Sequence, residues 1–170
     1  MASVLGTLGP AGATIGAVAA AAGLAPGLVH HHVSTKDALY RLVLAELTAQ
    51  FRARRAALSG EDPLETYIEA ALSLDERSDV TGARAWVGLF AEALSREPLR
   101  NAVRRVLDAE VATVERLSRG SLDTAGASAV VAFVVGALVL GSFAPRKTAG
   151  FAAVSLRRML VGLRRAGPRP

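Results

Sequence analysis

The side chains best equipped for chemistry in this chain crowd into one short stretch. Thr14, His30, His31, His32 and Lys36 all fall within TIGAVAAAAGLAPGLVHHHVSTK at residues 14–36. Three consecutive histidines suggest a metal site, but successive side chains on a helix point about 100° apart, so these three cannot converge on one ion. No metal and no cofactor is expected, and His32 reads as a core or rim residue. Catalytic patterns are also missing: the sequence has no nucleophile elbow, no phosphate-cradling glycine loop before a helix, and no HExxH or paired-carboxylate motif. The protein is therefore expected not to be an enzyme. The acids between Glu61 and Glu115 recur mainly on polar helix faces and read as solvated. Cysteine is absent, which excludes disulfides and thiolate chemistry and suits a reducing interior.

The elements that position this stretch are two short helices, a tight turn and the start of a third helix, the layout of a helix-turn-helix DNA reader. Ile15, Val18, Ala19 and Ala22 recur at i, i+3, i+4 and i+7, one face of a helix that Thr14 can cap. Gly23 follows where a left-handed backbone lets the chain turn sharply. A second helix begins at once, with Pro26 suited to its first turn and Leu28, Val29, His32 and Val33 on its inward face. Ser34 with Asp37 reads as a capping box for the third helix.

The ordered set AxxAGLxxGLVxHHVxxKxxL, running from Ala19 to Leu39, resembles the tetracycline-repressor-like (TetR) family of one-component regulators. The resemblance implies that Pro26, Gly27, Leu28, His30 and His31 face DNA from the second helix, set in the major groove. Val29 would pack inward against Val18 and Leu39. Lys36 stands where the family places a phosphate-contacting lysine. Thr14 and the start of its helix can donate to a second phosphate, because a helix N-terminus carries unsatisfied N–H groups and partial positive charge. Phosphate contacts give affinity and base contacts give sequence choice. Three positions depart from the family pattern: His30 replaces a usual tyrosine, Val33 a usual phenylalanine, and Gly16 a polar side chain.

Only Met1 to Leu8 precedes the Gly-Pro-Ala-Gly segment at residues 9–12, where the family has a full first helix, so a truncated first helix is expected, with Val4, Leu5 and Leu8 covering part of the Ile15 and Leu39 faces. A helix that short depends on tertiary packing.

The rest reads as helix throughout. Asp37 to about Leu58 carries Leu39, Leu42, Val43, Leu47 and Phe51 on one face, and residues 59–62 break it. A helix from Pro63 turns Leu64, Tyr67, Ile68, Ala71 and Leu72 inward. A loop over residues 78–82 leads to a helix over residues 83–95 with Trp86, Val87, Phe90 and Leu94, and another over residues 98–118 carries Leu99, Val103, Leu107, Val111 and Val114. No alternating strand pattern competes. The expected architecture is all-α, with a helix-turn-helix head at residues 1–50 and a larger effector-binding and dimerisation body at 51–170. Hydrophobic residues make up 51% of the chain and aromatics only 5%, so the core must be built mostly from Ala, Val and Leu.

Charge follows the same division. Residues 1–57 carry a net +3, residues 58–119 a net −4 and residues 120–170 a net +6. A basic head suits a polyanionic partner, whereas the basic tail reads as a solvated helix end. Between Thr124 and Pro145 lie 22 residues without a charge, long enough to cross a membrane. Dilution by Ala, Gly, Ser and Thr, and the lack of a second such stretch, favour a helix buried on both sides. The resemblance implies a four-helix bundle between two subunits, formed by this helix and a last one at about residues 150–164. Val135, Leu138, Leu156 and Leu160 are the expected interface residues, and Tyr67, Trp86 and Phe90 the expected lining of an effector cavity. The resemblance thus implies a cytoplasmic homodimeric repressor that binds a palindromic operator in double-stranded DNA, releases it when a small-molecule effector binds, and does not associate with membranes. Two other readings are a helical dimeric ligand-binding module that has lost DNA binding with its first helix, and a small membrane-associated protein.

Overall fold

The computed structural model describes residues 2–12, 14–21, 23, 35–72, 80–148 and 150–165. Every regular element among them is helical: α1 (Ala2–Gly12), α2 (Ile15–Ala21), α3 (Lys36–Ala57), α4 (Pro63–Leu72), α5 (Val80–Ser95), α6 (Glu97–Leu117), α7 (Thr124–Phe143), a 3-10 turn (Pro145–Lys147) and α8 (Ala152–Arg165). Pro26, Gly27, Leu28, His30, His31 and Ser34 lie outside the described residues.

Local signals set the ends of the head helices. Gly9 breaks α1 into two helical pieces, with φ 68° and ψ −179°, a conformation costly to any residue with a β-carbon. Thr14 caps α2 as its type predicts, its hydroxyl oxygen accepting the Ala17 N–H at 3.1 Å. Gly23 takes the left-handed conformation expected of it, with φ 66°. The cap of α3 is Thr35 rather than Ser34. Thr35 has the extended backbone that a cap requires, and its side chain accepts the Ala38 N–H at 3.1 Å. Asp37, the other half of the expected capping box, reaches across to Arg96 instead.

The first helix bridges head and body. Val4 packs with Ala19 and Leu39, as expected. Leu5, the next residue, packs with Tyr40, Val43, Leu44, Leu89 and Leu99, a cluster that joins α1, α3, α5 and α6. Leu8 contributes little and remains 54% exposed. Gly6 allows the close approach: a β-carbon there would lie 2.2 Å from the Thr81 carbonyl oxygen. The described helix α5 includes Val80, inside the stretch read as a loop.

Two apolar stripes are rotated from their expected positions. On α3 the neighbours on several sides bury Leu39, Tyr40, Val43, Leu44 and Leu47, leaving Leu42 45% exposed. On α5 the buried face consists of Ala83, Ala85, Gly88, Leu89 and Ala93. Its small residues let neighbouring helices come close, while Trp86, Val87 and Phe90 are half-buried and Leu94 is 78% exposed.

The body core follows the predicted α4 stripe. Leu64, Tyr67, Ile68, Ala71 and Leu72 pack with Val114 of α6, Val130 and Val131 of α7, and Leu156 and Leu160 of α8. Full burial of each large aliphatic side chain stabilises by about 1.5–3 kcal/mol. Asp62 caps α4, accepting the Leu64 N–H at 2.8 Å, and Asp123 caps α7, accepting the Gly126 N–H at 2.8 Å. Arg157 ties α8 to α4 through Glu65 at 2.5 Å and Glu69 at 2.6 Å. The uncharged helix α7 turns Ala127, Val130, Val131, Val134, Ala137 and Gly141 into this core.

Candidate functional site

Thr14 and Lys36 are the two expected DNA-contacting residues among the described ones. Thr14 is exposed at the start of α2. Its oxygen accepts the cap hydrogen bond, so its hydroxyl proton remains available for an outside acceptor. Lys36, the first residue of α3, holds its ammonium 5.5 Å from the centre of the Tyr40 ring.

That ring is the hub of a charged cluster between head and body. The Arg96 guanidinium lies 5.7 Å from the same ring centre, in the range of a cation–π contact. Arg96 also pairs with Asp37 at 3.0 Å and with Glu92 at 2.8 Å. Burial, reinforced by the charge of Glu92 and a hydrogen bond to it, pushes the Tyr40 phenol up to about 12. Burial acts to raise Glu92, but Arg96, Lys36 and the Tyr40 hydroxyl together outweigh it and hold the carboxyl below its ordinary value. Arg96 stands between α5 and α6 and so links their junction to the first turn of α3. Sequence reasoning did not find this cluster; Arg96 and Asp37 are 59 residues apart, and neither residue type signals a partner.

A cavity of about 70 Å³ lies in the body, lined from α3, α4, α5, α6 and α7. All three expected residues, Tyr67, Trp86 and Phe90, line it, with Phe51, Leu107 and Glu110. The Trp86 and Phe90 rings are 5.5 Å apart, and Phe51 meets Tyr67 edge to face at 5.6 Å. Burial, followed by the charge of Glu110 and hydrogen bonding to it, holds the Tyr67 proton far above the usual phenol range. Glu110 is half-buried rather than on a solvated face, and its Oε2 is sealed from water with no hydrogen-bond partner among the described residues. Its spacing carries the signal: Val103, Leu107, Glu110 and Val114 fall at i, i+4, i+7 and i+11, which places the acid within the apolar stripe.

The expected interface residues fall on two surfaces within the chain. Leu156 and Leu160 are buried in the chain's own core, because α8 turns that face onto α4, and Val135 and Leu138 line the cavity wall. Among the described side chains, Val139, Leu140 and Phe143 on α7 and Val154, Met159 and Val161 on α8 are the large apolar ones left exposed there, Phe143 by 80%.

Solved structures share this arrangement over nearly the whole chain. A transcriptional regulator from Rhodococcus sp. Rha1 superposes on 99% of this chain and 95% of its own, with a TM-score of 0.85 at 21% identity. A Rhodococcus protein assigned to the TetR family superposes on 95% of this chain and 90% of its own, with a TM-score of 0.73 at 24% identity. The fold is that of the TetR family. GusR of Salmonella enterica also superposes, with a TM-score of 0.68 at 19% identity over 96% of this chain and 91% of its own. In sequence, the chain is 28% identical over 102 residues to the HTH-type transcriptional regulator BetI of Rhizobium meliloti, a match covering 57% of this chain. The match spans about half the length of that curated relative. No protein-family model matches. In this TetR-type fold, α2 and the start of α3 flank the segment read as the DNA-facing helix, and the aromatic cavity lies in the helical body.

Proposed function

We propose that the protein is a homodimeric, cytoplasmic transcriptional repressor of TetR type, which binds a roughly palindromic operator and releases it when a small molecule enters the body cavity. The head comprises about residues 1–50, and the body, about residues 51–170, carries ligand binding and dimerisation. Pro26, Gly27, Leu28, His30 and His31 face the bases and sugar-phosphate edge, while Thr14 and Lys36 hold phosphates. The observation that carries this reading is the link between the two regions. Trp86 and Phe90 on α5 and Glu110 on α6 line the cavity, and the junction of these helices holds Arg96, which grips Asp37 beside Lys36. A ligand that favours a different α5–α6 spacing also shifts Asp37 and the first turn of α3. Such differential affinity is what a ligand needs to shift an equilibrium.

Dimerisation uses the apolar faces left open on α7 and α8. Two chains then present two reading heads one DNA turn apart, or a multiple of it. A gel shift with DNA flanking the protein's own gene tests the reading. Salt-sensitive retardation that unrelated DNA does not compete away is the expected result. Equal retardation of every fragment by folded protein contradicts it.

A further inference from the structure

Along one side of α3 runs an open groove of about 650 Å³, flanked on its other side by α6. Its floor is apolar: Ala45, Ala49, Ala102, Val106 and Ala109 line it, and the Thr48 hydroxyl beside them already donates to the Leu44 carbonyl at 2.7 Å. The groove also holds Arg41, Arg52 and Arg105, all exposed, against the single acid Glu110. Among the described residues none of these three arginines pairs with an acid. The two helices run in the same direction, since Asp37 meets Arg96 at one end and Phe51 lines the body cavity with Leu107 and Glu110 at the other. Counted from the Asp37–Arg96 pair at a rise of about 1.5 Å per residue, Arg41, Arg105 and Arg52 follow one another along the groove at intervals of about 8 Å.

We propose that this groove docks an acidic amphipathic helix of a protein partner. Three separated guanidiniums call for several negative charges spaced along a length, and acids on successive or alternate turns of a helix stand about 5–11 Å apart. Apolar side chains between those acids bury the alanine floor, whose small side chains let a second helix lie close. A fatty carboxylate would bury the floor but answer only one arginine. A nucleic-acid strand would bring the charges, but the described lining offers no aromatic ring on which a base could stack. Docking there does not require the effector reading, because the groove shares only Val106 and Glu110 with the aromatic cavity.

The test titrates full-length protein into a fluorescein-labelled peptide of about 14 residues, long enough to span Arg41 to Arg52 as a helix. The peptide is built from Glu, Leu and Ala with the leucines on one face, and the same residues in scrambled order serve as the control. Anisotropy should show saturable binding that weakens with salt and is at least about fivefold tighter than for the scrambled peptide. Arg41→Gln, Arg52→Gln and Arg105→Gln should each weaken it about two- to fivefold, and Ala49→Glu, which sets an acid on the floor, should remove it. Arg104→Gln, exposed on the same helix but outside the groove, should leave it unchanged. No change in anisotropy up to millimolar protein overturns the proposal, as does equal binding of the scrambled peptide, which needs charge alone. Weakening by Arg104→Gln as large as that by Arg105→Gln overturns the assignment to the groove. If sedimentation without peptide shows an assembly in wild type that Arg52→Gln and Arg105→Gln both lose, the occupant is a second copy of this chain and the separate partner is overturned. Should a variant fail to fold, the comparison of the two peptides on wild type decides.

Discussion

Head and body are stabilised in different ways. The body has a broad internal core in which Leu64, Ile68, Val114, Val130, Leu156 and Leu160 are almost wholly buried. The described part of the head has only the small cluster of Val4, Ala19 and Leu39 to itself, and its larger contacts, through Leu5 and Tyr40, are made with α5 and α6. Through Leu5 and Tyr40 the described part of the head is tied to two helices that line the cavity. The same contacts that stabilise it can therefore transmit a change in the body.

The comparison is broken most strongly by removing the bridge. Leu5→Ala should lower unfolding stability by about 2–5 kcal/mol, the usual cost of emptying a buried leucine site, as read by chemical denaturation. A loss well short of that range would contradict the bridging role of Leu5. Gly6→Ala forces a β-carbon into backbone at the α1–α5 contact and should cost about 1–3 kcal/mol, with hydrogen exchange rising first in α1 and α5. Uniform protection across the chain would contradict the placement of that contact.

A smaller change sharpens the coupling. Arg96→Ala removes the link from the α5–α6 junction to Asp37 and should blunt the effect of a cavity ligand on operator affinity several-fold while leaving ligand affinity itself nearly intact. Parallel tryptophan-fluorescence and DNA-binding titrations separate the two, and unchanged coupling would rule out this route. Thr35→Ala deletes the α3 cap and should cost about 1 kcal/mol, measured by thermal melting.

The smallest expected effect is on pH dependence. Glu92 ionises more readily folded than unfolded, because Arg96, Lys36 and Tyr40 outweigh its burial. Its contribution to stability is thus complete above the ordinary carboxylate range and is lost as pH falls through the lower folded value. Glu92→Gln should flatten the acid side of the stability profile slightly and leave neutral pH nearly unchanged in slope.

Much of this architecture is legible in the sequence where one residue type does one local job. Thr14 as a cap, Gly23 in a left-handed turn and the α4 stripe from Leu64 to Leu72 all follow from spacing and side-chain chemistry. Periodicity is less informative for helices with several neighbours. It marks α3 and α5 as apolar, yet Leu42 and Leu94 are exposed because Tyr40, Leu44 and the small residues of α5 make the tighter contacts. In α8, Leu156 and Leu160 satisfy a core and an interface equally well by pattern, and the packing on α4 gives them a place in the chain's own core. Glu110 resembles the other acids of residues 61–115 by type, and its place in an apolar stripe is what sets it apart. The pairing of Arg96 with Asp37 leaves no local signal.

The most direct test of the central claim is the stoichiometry and salt dependence of operator binding by full-length protein, followed by fluorescence anisotropy on a fragment selected from the DNA flanking its gene. Two chains per site, with affinity falling linearly on a logarithmic salt scale and the slope reduced in Lys36→Ala, is the predicted result. Binding by one chain, or a slope that Lys36→Ala leaves unchanged, would contradict it.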